Sequence, residues 1–255
     1  MFKIALDAGH GMYTAGKRCL KAIDKNETRE WWLNDRICDK VEKKLASYDG
    51  YSLLRVDNTT GETDVPLEDR VRKANEFGAN FYLSVHHNAG INGGSGGGII
   101  AIIYTNPLEK SKEYRKIVYD ALIEETGLKG NRSTPLTEQN LYVCRKTTMP
   151  SVLVECGFMD STTDVPIILT EKFADEAAEG LVKALVKIGE LKPKGTSVGG
   201  FTDIKGHFAE DSIKDLASMG IVLGKTKDKF APDEPITRGE AAVMLRRVIK
   251  HITGK

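Results

Sequence analysis

Phe81-Tyr82-Leu83-Ser84-Val85, followed at once by His86, is the stretch whose reading decides the fold. A short apolar run bounded by Asn80 on one side and a polar cluster on the other has the form of a strand buried on both faces, the kind found in parallel sheets. The pattern recurs twice. Residues 3–9 (KIALDAG) end at His10, and Ser151-Val152-Leu153-Val154 ends at Glu155. In open α/β sheets ligands bind in the crevice beyond the carboxyl ends of the strands. Three strands therefore deliver two histidines and a glutamate to one sheet edge, a pattern that suits a metal with a base beside it.

Outward from these strands, helical and extended patterns alternate. Residues 30–48 carry Leu33, Ile37, Val41 and Leu45 at four-residue spacing, one apolar face of a helix. A strand is expected over 51–56 and a helix over 66–77, with Leu67, Val71 and Ala74 inward and Gly78 as its stop. Residues 98–104 (GIIAIIY), 141–144 and 151–155 read as further strands, and 110–125 and 173–188 as further helices. Repeated βα alternation predicts an α/β domain with a twisted, mostly parallel sheet flanked by helices. Residues 190–200 have linker composition. Beyond them, helices are expected over 211–219 and 238–251, the latter with Ala241, Ala242, Leu245, Val248 and Ile249 as its stripe. The expected organisation is a catalytic domain over 1–189, a linker over 190–200 and a small, mostly helical module over 201–255.

The chain has 255 residues, 40% of them hydrophobic, enough for one large or two ordinary domains with packed cores. A net charge of +1 argues against nucleic-acid binding, which needs a basic field. No run approaches the roughly 20 apolar residues of a membrane span. Cys19, Cys38, Cys144 and Cys156 form no CxxC pair and read as buried free thiols, implying folding in a reducing compartment. Cys156 neighbours Glu155, but strand alternation turns it into the core. Met1 leads straight into the first strand with no secretory signal, so synthesis in the cytoplasm is expected.

A catalytic zinc commonly takes three His or carboxylate ligands and leaves one position for water. His10 and His86 supply two; Glu30, at the start of the first helix, is the best third ligand, with Glu27 a neighbour that spacing alone does not exclude. Glu155, outside the ligand set, would take the water's proton and pass it to a leaving amine. The bland reading is that each residue alone is structural: a histidine satisfied in the core, a glutamate offsetting a helix dipole. Three such residues at strand ends favour the joint reading. The glycines at 93, 94, 96, 97 and 98 lack the GK[ST] ending of a phosphate loop and are expected to form a mobile rim after the second ligand strand. Trp31 and Trp32 read as buried helix anchors.

LDAGHG, Glu30 with Asn34 four residues on, LEDRVRKANEFGANFYLSVHHNA and MPSVLVECGFM together resemble the zinc-dependent N-acetylmuramoyl-L-alanine amidases of the amidase-3 family, across roughly residues 1–189. That resemblance implies the family's phosphorylase/hydrolase-like fold. It also implies Zn2+ held by His10, Glu30 and His86, Glu155 as catalytic base, and cleavage between the muramoyl lactyl group and L-alanine in peptidoglycan. This sequence departs from the pattern at His87, which follows the ligand where a small or polar residue is common; alternation leaves it on a neighbouring face, near substrate.

In the C-terminal part, FTDI at 201–204, GHFAEDSIKDLASMGIVLG and FAPDEPITRGEAAVML resemble a surface-layer homology (SLH) repeat over about 201–250. Such repeats bind acidic secondary polymers of the cell wall, which implies polymer-binding roles for Asp203 and Arg238. A cation at a helix start is disfavoured by the dipole, and this favours a ligand role for Arg238 over a purely structural one. Repeats of this type usually occur three to a chain and one is found here, which leaves either weak binding by a single copy or a homotrimer. The whole reads as a wall hydrolase, either an endolysin stored in the host cytoplasm and acting on the wall after release or an autolysin. The alternatives are a zinc peptidase cutting within the stem peptide and a non-catalytic wall-binding protein.

Overall fold

The computed structural model describes residues 1–194, 200–226 and 228–253. The chain divides into two compact units, Met1–Leu191 and Lys192–Lys255. Residues 195–199 of the linker expected over 190–200 lie outside the described residues.

The first unit is built on a six-stranded sheet. Its strands are β1 (Phe2–Ala8), β3 (Tyr51–Arg55), β4 (Phe81–Asn88), β5 (Ile99–Ile103), β6 (Leu136–Glu138) and β7 (Ser151–Phe158); β2 (Tyr48–Asp49) is a two-residue strand outside it. The order is β3-β1-β4-β7-β5-β6. Neighbours from β3 to β7 run parallel, β5 enters antiparallel to β7, and β6 runs parallel to β5. The strands carrying the three polar ends, β1, β4 and β7, lie side by side in the middle, pointing the same way. Their carboxyl ends therefore meet at one edge, where a parallel sheet presents its ligand crevice.

Helices cover both faces: α1 (Glu30–Leu45), α2 (Leu67–Phe77), α3 (Glu109–Thr126), the short α4 (Tyr142–Lys146) and α5 (Val165–Ile168), and α6 (Glu171–Gly189). Leu33, Ile37, Val41 and Leu45 of α1 are fully buried with Ile4, Leu6, Leu83 and Val85, so the four-residue spacing has become one wall of the core. Gly78 ends α2 in the left-handed region at φ 66°, the conformation that favours glycine. On α2 the expected inward face shifts by a residue: Leu67 is half exposed, while Arg70 is buried with Val71 and Ala74. Residues 141–144, expected as a strand, form the start of α4, closed by an Arg145 N–H to Leu141 carbonyl bond. A four-residue apolar run does not distinguish the two.

The second unit contains β8 (Lys192–Pro193), α7 (Glu210–Ser218) and α8 (Arg238–Thr253). Its core gathers Phe201, Ile204, Ile213, Ala217, Ile221 and Val222, with Met244 and Val248 of α8 against them. The stripe expected on α8 splits. Val248 packs inward, whereas Leu245 and Ile249 are exposed, because a unit this small buries only a narrow seam of its last helix.

Candidate metal centre and active site

β1 ends at Ala8, and the chain turns through Gly9 into His10, a non-glycine residue held at φ 66°. That left-handed conformation is costly for a histidine and persists only where its surroundings determine it. Here they do. The Gly9 N–H donates to the Val85 carbonyl at 3.0 Å, and the buried Arg70 guanidinium donates to the carbonyls of Ala8 and His10 at 2.7 and 2.8 Å. Arg70 also bonds the Asp7 carboxylate, which accepts from Tyr82 and Ser84 hydroxyls at 2.8 and 2.7 Å. Burial pushes the Asp7 carboxyl up, but Arg70, the His86 ring and these hydrogen bonds outweigh it and hold Asp7 below the usual carboxylate range.

The structure brings His10, Glu30 and His86 together: one ligand atom of each lies within 4.8 Å of the others. Glu30 Oε1 sits 3.3 Å from His10 Nε2 and 3.0 Å from His86 Nδ1, and the two rings meet edge to face at 5.0 Å. Glu27, left open by spacing, points elsewhere and pairs with Arg18 and Lys21 at 3.1 and 3.7 Å. Glu30 is the first residue of α1; its N–H donates to the Lys17 carbonyl at 3.0 Å, which fixes where the helix starts.

His86 pairs with Glu155 across the parallel β4–β7 ladder, and the register slips immediately after, between His86 and Asn88. Such an irregularity re-aims a side chain. It lets the buried His87 approach α1 as well: its N–H donates to Glu30 Oε1 at 3.3 Å, and its Nδ1 donates to Asn34 Oδ1 at 2.8 Å. The His87 ring is thus engaged with α1, and the residue also lines the cleft that holds Glu30, His86 and Glu155. Motif reading included Asn34 without giving it a role, and it gave Arg70 none; both hold the site together. Asn34 had a legible signal, since four residues on from Glu30 it shares that residue's helix face.

The chemistry of the donor set fits a divalent cation. Two imidazoles and a carboxylate are a zinc-type set. Glu30 is buried and its Oε2 has no hydrogen-bond donor, with Lys17 Nζ at 3.7 Å. Burial opposes the Glu30 charge, but hydrogen bonds and charge from His10 and His86 hold the carboxyl well below its usual range. A buried anion facing two imidazole nitrogens is a site ready for a cation. Glu155 is different. Burial pushes its carboxyl up to about 7, with the His86 charge opposing, the Glu30 charge adding and Lys17 opposing. Its Oε2 is shielded and has no hydrogen-bond partner. A cleft of about 390 Å³ is lined by Lys17, Glu30, His86, Asn88 and Glu155, among others.

The segment that follows Asn88 and Ala89 of the cleft is pinned. Asp160 Oδ2 accepts from the N–H groups of Gly90, Ile91 and Asn92 at 2.8, 2.8 and 2.7 Å. The N–H groups of Gly96, Gly97 and Gly98 donate to Thr163, Asn131 and Asp164. The glycine-rich segment expected as a mobile rim is therefore held at successive residues. Cys156, beside Glu155, is buried and free, as are Cys19, Cys38 and Cys144. Trp31 is buried, but Trp32 is partly exposed and carries the Arg36 guanidinium at 4.4 Å over its ring.

In the second unit, Asp203 and Arg238 play unequal parts. The Asp203 carboxylate accepts from the N–H groups of Phe230 and Ala231 at 3.0 and 2.8 Å, a clip that fastens the loop before α8. Both carboxylate oxygens are thus engaged within the unit, which gives Asp203 a structural role there. Arg238 stands exposed at the first residue of α8. No helix among the described residues is long and apolar enough to cross a membrane.

Residues 4–187 match the N-acetylmuramoyl-L-alanine amidase (Amidase_3) family, and residues 200–242 match the S-layer homology domain. The chain is 30% identical over 200 residues to the sporulation-specific N-acetylmuramoyl-L-alanine amidase of Bacillus subtilis, covering 77% of this chain and 72% of that one. It is 30% identical over 191 residues to the endolysin of Bacillus phage SPP1, covering 74% and 66%. Among solved structures it resembles the N-acetylmuramoyl-L-alanine amidase of Clostridium difficile 630, with a TM-score of 0.66 and 28% identity over 74% of this chain and 97% of that one. With its mixed six-stranded sheet, its histidine–glutamate–histidine cluster and a family match spanning most of its length, the chain belongs to the N-acetylmuramoyl-L-alanine amidase family and carries an S-layer homology domain behind the catalytic unit.

Proposed function

We propose that this chain hydrolyses the amide bond between N-acetylmuramic acid and the L-alanine of the peptidoglycan stem, with zinc held by His10, Glu30 and His86 and with Glu155 as the catalytic base. The observation that carries the reading is the convergence of the three donor atoms within 4.8 Å beside a half-buried glutamate on the neighbouring strand. When bound, zinc supplies Lewis acidity, lowering the pKa of water to about 7 and polarising a carbonyl.

The chain's own residues supply the rest. Glu155, with a pKa near the working pH, accepts the proton of the attacking water and then delivers it to the departing L-alanine nitrogen. Asn88 and Ala89 line the cleft and the segment that follows them is pinned, so the glycan–peptide junction meets a preformed wall there.

The C-terminal unit is proposed to hold the enzyme on an acidic wall polymer through Arg238, whose guanidinium suits a carboxylate. A row of exposed apolar residues on α8 (Leu245, Ile249 and Ile252) supports association of three chains through that helix, which would raise wall avidity. Sedimentation as a strict monomer at working concentration would refute the trimer.

The deciding experiment is product analysis on purified peptidoglycan with wild type, chelated enzyme and Glu155→Ala. Free L-alanine amino termini with intact glycan strands, lost on chelation and in the variant, are expected. New termini inside the stem would make it a peptidase instead. Wall binding without cleavage would leave only the anchoring unit.

A further inference from the structure

We infer that Asn34 is a positioning residue that clamps the three ligand-bearing segments in register and thereby sets the affinity for the metal. The inference rests on the reading of His10, Glu30 and His86 as ligands. Each of those residues belongs to a different element: the turn after β1, the first turn of α1, and the end of β4. No covalent link makes these three move together. Asn34 touches all three. It lies one turn after Glu30 on α1 and is fully buried. Its Nδ2 donates to the carbonyl of Gly9, the residue preceding His10, at 3.1 Å. Its Oδ1 accepts from Nδ1 of His87, the residue following His86, at 2.8 Å.

The two contacts determine each other. A carbonyl can be met only by the amide nitrogen, so the oxygen must face His87, and the His87 ring must present its Nδ1–H. An apolar residue of the same size loses both arms at once. Outer contacts that fix the orientation of ligands typically change metal affinity by about 10–100-fold.

The test measures zinc affinity of the full chain by competition with a chromophoric chelator, alongside thermal unfolding of the metal-free protein. Asn34→Leu cuts both arms and is expected to bind zinc about 10–100-fold more weakly. His87→Phe cuts the β4 arm alone and is expected to lose less; the double variant should lose no more than Asn34→Leu, because the arm is shared. Ile37→Ala, buried on the same helix, destabilises the fold without touching the clamp and should leave zinc affinity unchanged. Wild-type affinity in Asn34→Leu overturns the inference, as does an equal loss in Ile37→Ala, which would reduce Asn34 to a core residue. If Asn34→Leu does not fold, wild-type affinity in His87→Phe overturns the clamp and weakened affinity in it supports the clamp. Absence of zinc binding in the wild type would instead bring down the ligand assignment, and the clamp with it.

Discussion

Arg70 donates to the carbonyl of His10 at 2.8 Å and so holds that residue in a backbone conformation it would not otherwise adopt. The same guanidinium neutralises Asp7 and reaches the carbonyls of Ala8 and Val65. A structural ion pair under the sheet edge thus aims one of the three proposed ligands.

Removing Arg70 is accordingly expected to be costly. Arg70→Met leaves the buried Asp7 carboxylate without its cation, and breaking a buried pair in this way costs about 3–5 kcal/mol. Urea unfolding measures it; a loss under about 1 kcal/mol, the level of an exposed pair, would contradict the reading.

The same pair predicts an acid limb. Asp7 has its folded pKa below the unfolded value of about 3.9. Its contribution is therefore fully present above that unfolded value and is lost as pH falls through the folded one, where the unfolded chain binds the proton first. Wild type should lose stability more steeply below about pH 4 than Asp7→Asn, which has no proton to bind. Parallel slopes in the two proteins would remove Asp7 from the acid response.

Glu155→Gln keeps the shape of the base and removes its proton transfer. The loss of turnover expected for a general base is about 10²–10⁴-fold, with zinc binding retained. The proton-accepting form grows as pH rises through the Glu155 pKa, placed at about 7 by burial and moved lower by a bound cation. The kcat/KM of the wild type should therefore fall on the acid side, and the residual activity of Glu155→Gln should lack that limb. Turnover near wild type in the variant would reassign the base.

Much of this architecture was legible because it rests on burial. The runs before His10, His86 and Glu155 are strands β1, β4 and β7, and the four-residue spacing of Leu33 to Leu45 is the buried face of α1. What escaped was set by tertiary partners rather than by local pattern. The reversal of β5 against β7 leaves no trace in an apolar run, because a strand buried on both faces reads the same in either direction. The slip after His86 defeats strict alternation, so the bond from His87 to Asn34 was unreadable. Arg70 was hidden because charged residues are assigned to solvent by default, and its acceptors are distant carbonyls. Glu27 and Glu30 differ by three positions, and only the start of α1 at Glu30 separates them.

The cysteines predict a silent thiol chemistry. All four are buried and free. Burial pushes the Cys19 and Cys144 thiols up to about 12 and raises Cys38 and Cys156 as well. The thiolate is the reacting species, so native protein at pH 8 should not react with an aromatic disulfide reagent, while unfolded protein should titrate all of them. Rapid reaction of one thiol in the native state would mean an accessible cysteine beside the site and would reopen a nucleophilic role for Cys156.

Gly9 offers the sharpest test of the site's geometry. A Cβ placed there would lie 2.1 Å from Cε1, 2.3 Å from Nε2 and 2.4 Å from Nδ1 of the His86 ring. The backbone cannot retreat, because its N–H is bonded to Val85 and its carbonyl to Asn34. In Gly9→Ala the imidazole must therefore move from the place where it faces Glu30. The φ at Gly9 is not among the left-handed ones, so alanine is tolerated by the backbone and the unfolded chain loses entropy, a gain of up to about 1 kcal/mol that offsets part of the clash. The expected variant is folded by circular dichroism, weakened in zinc binding by at least about 10-fold, and correspondingly slow on peptidoglycan. Full zinc stoichiometry with wild-type turnover in Gly9→Ala would mean that His86 does not need the position it holds here, and the proposed ligand set would lose its second histidine.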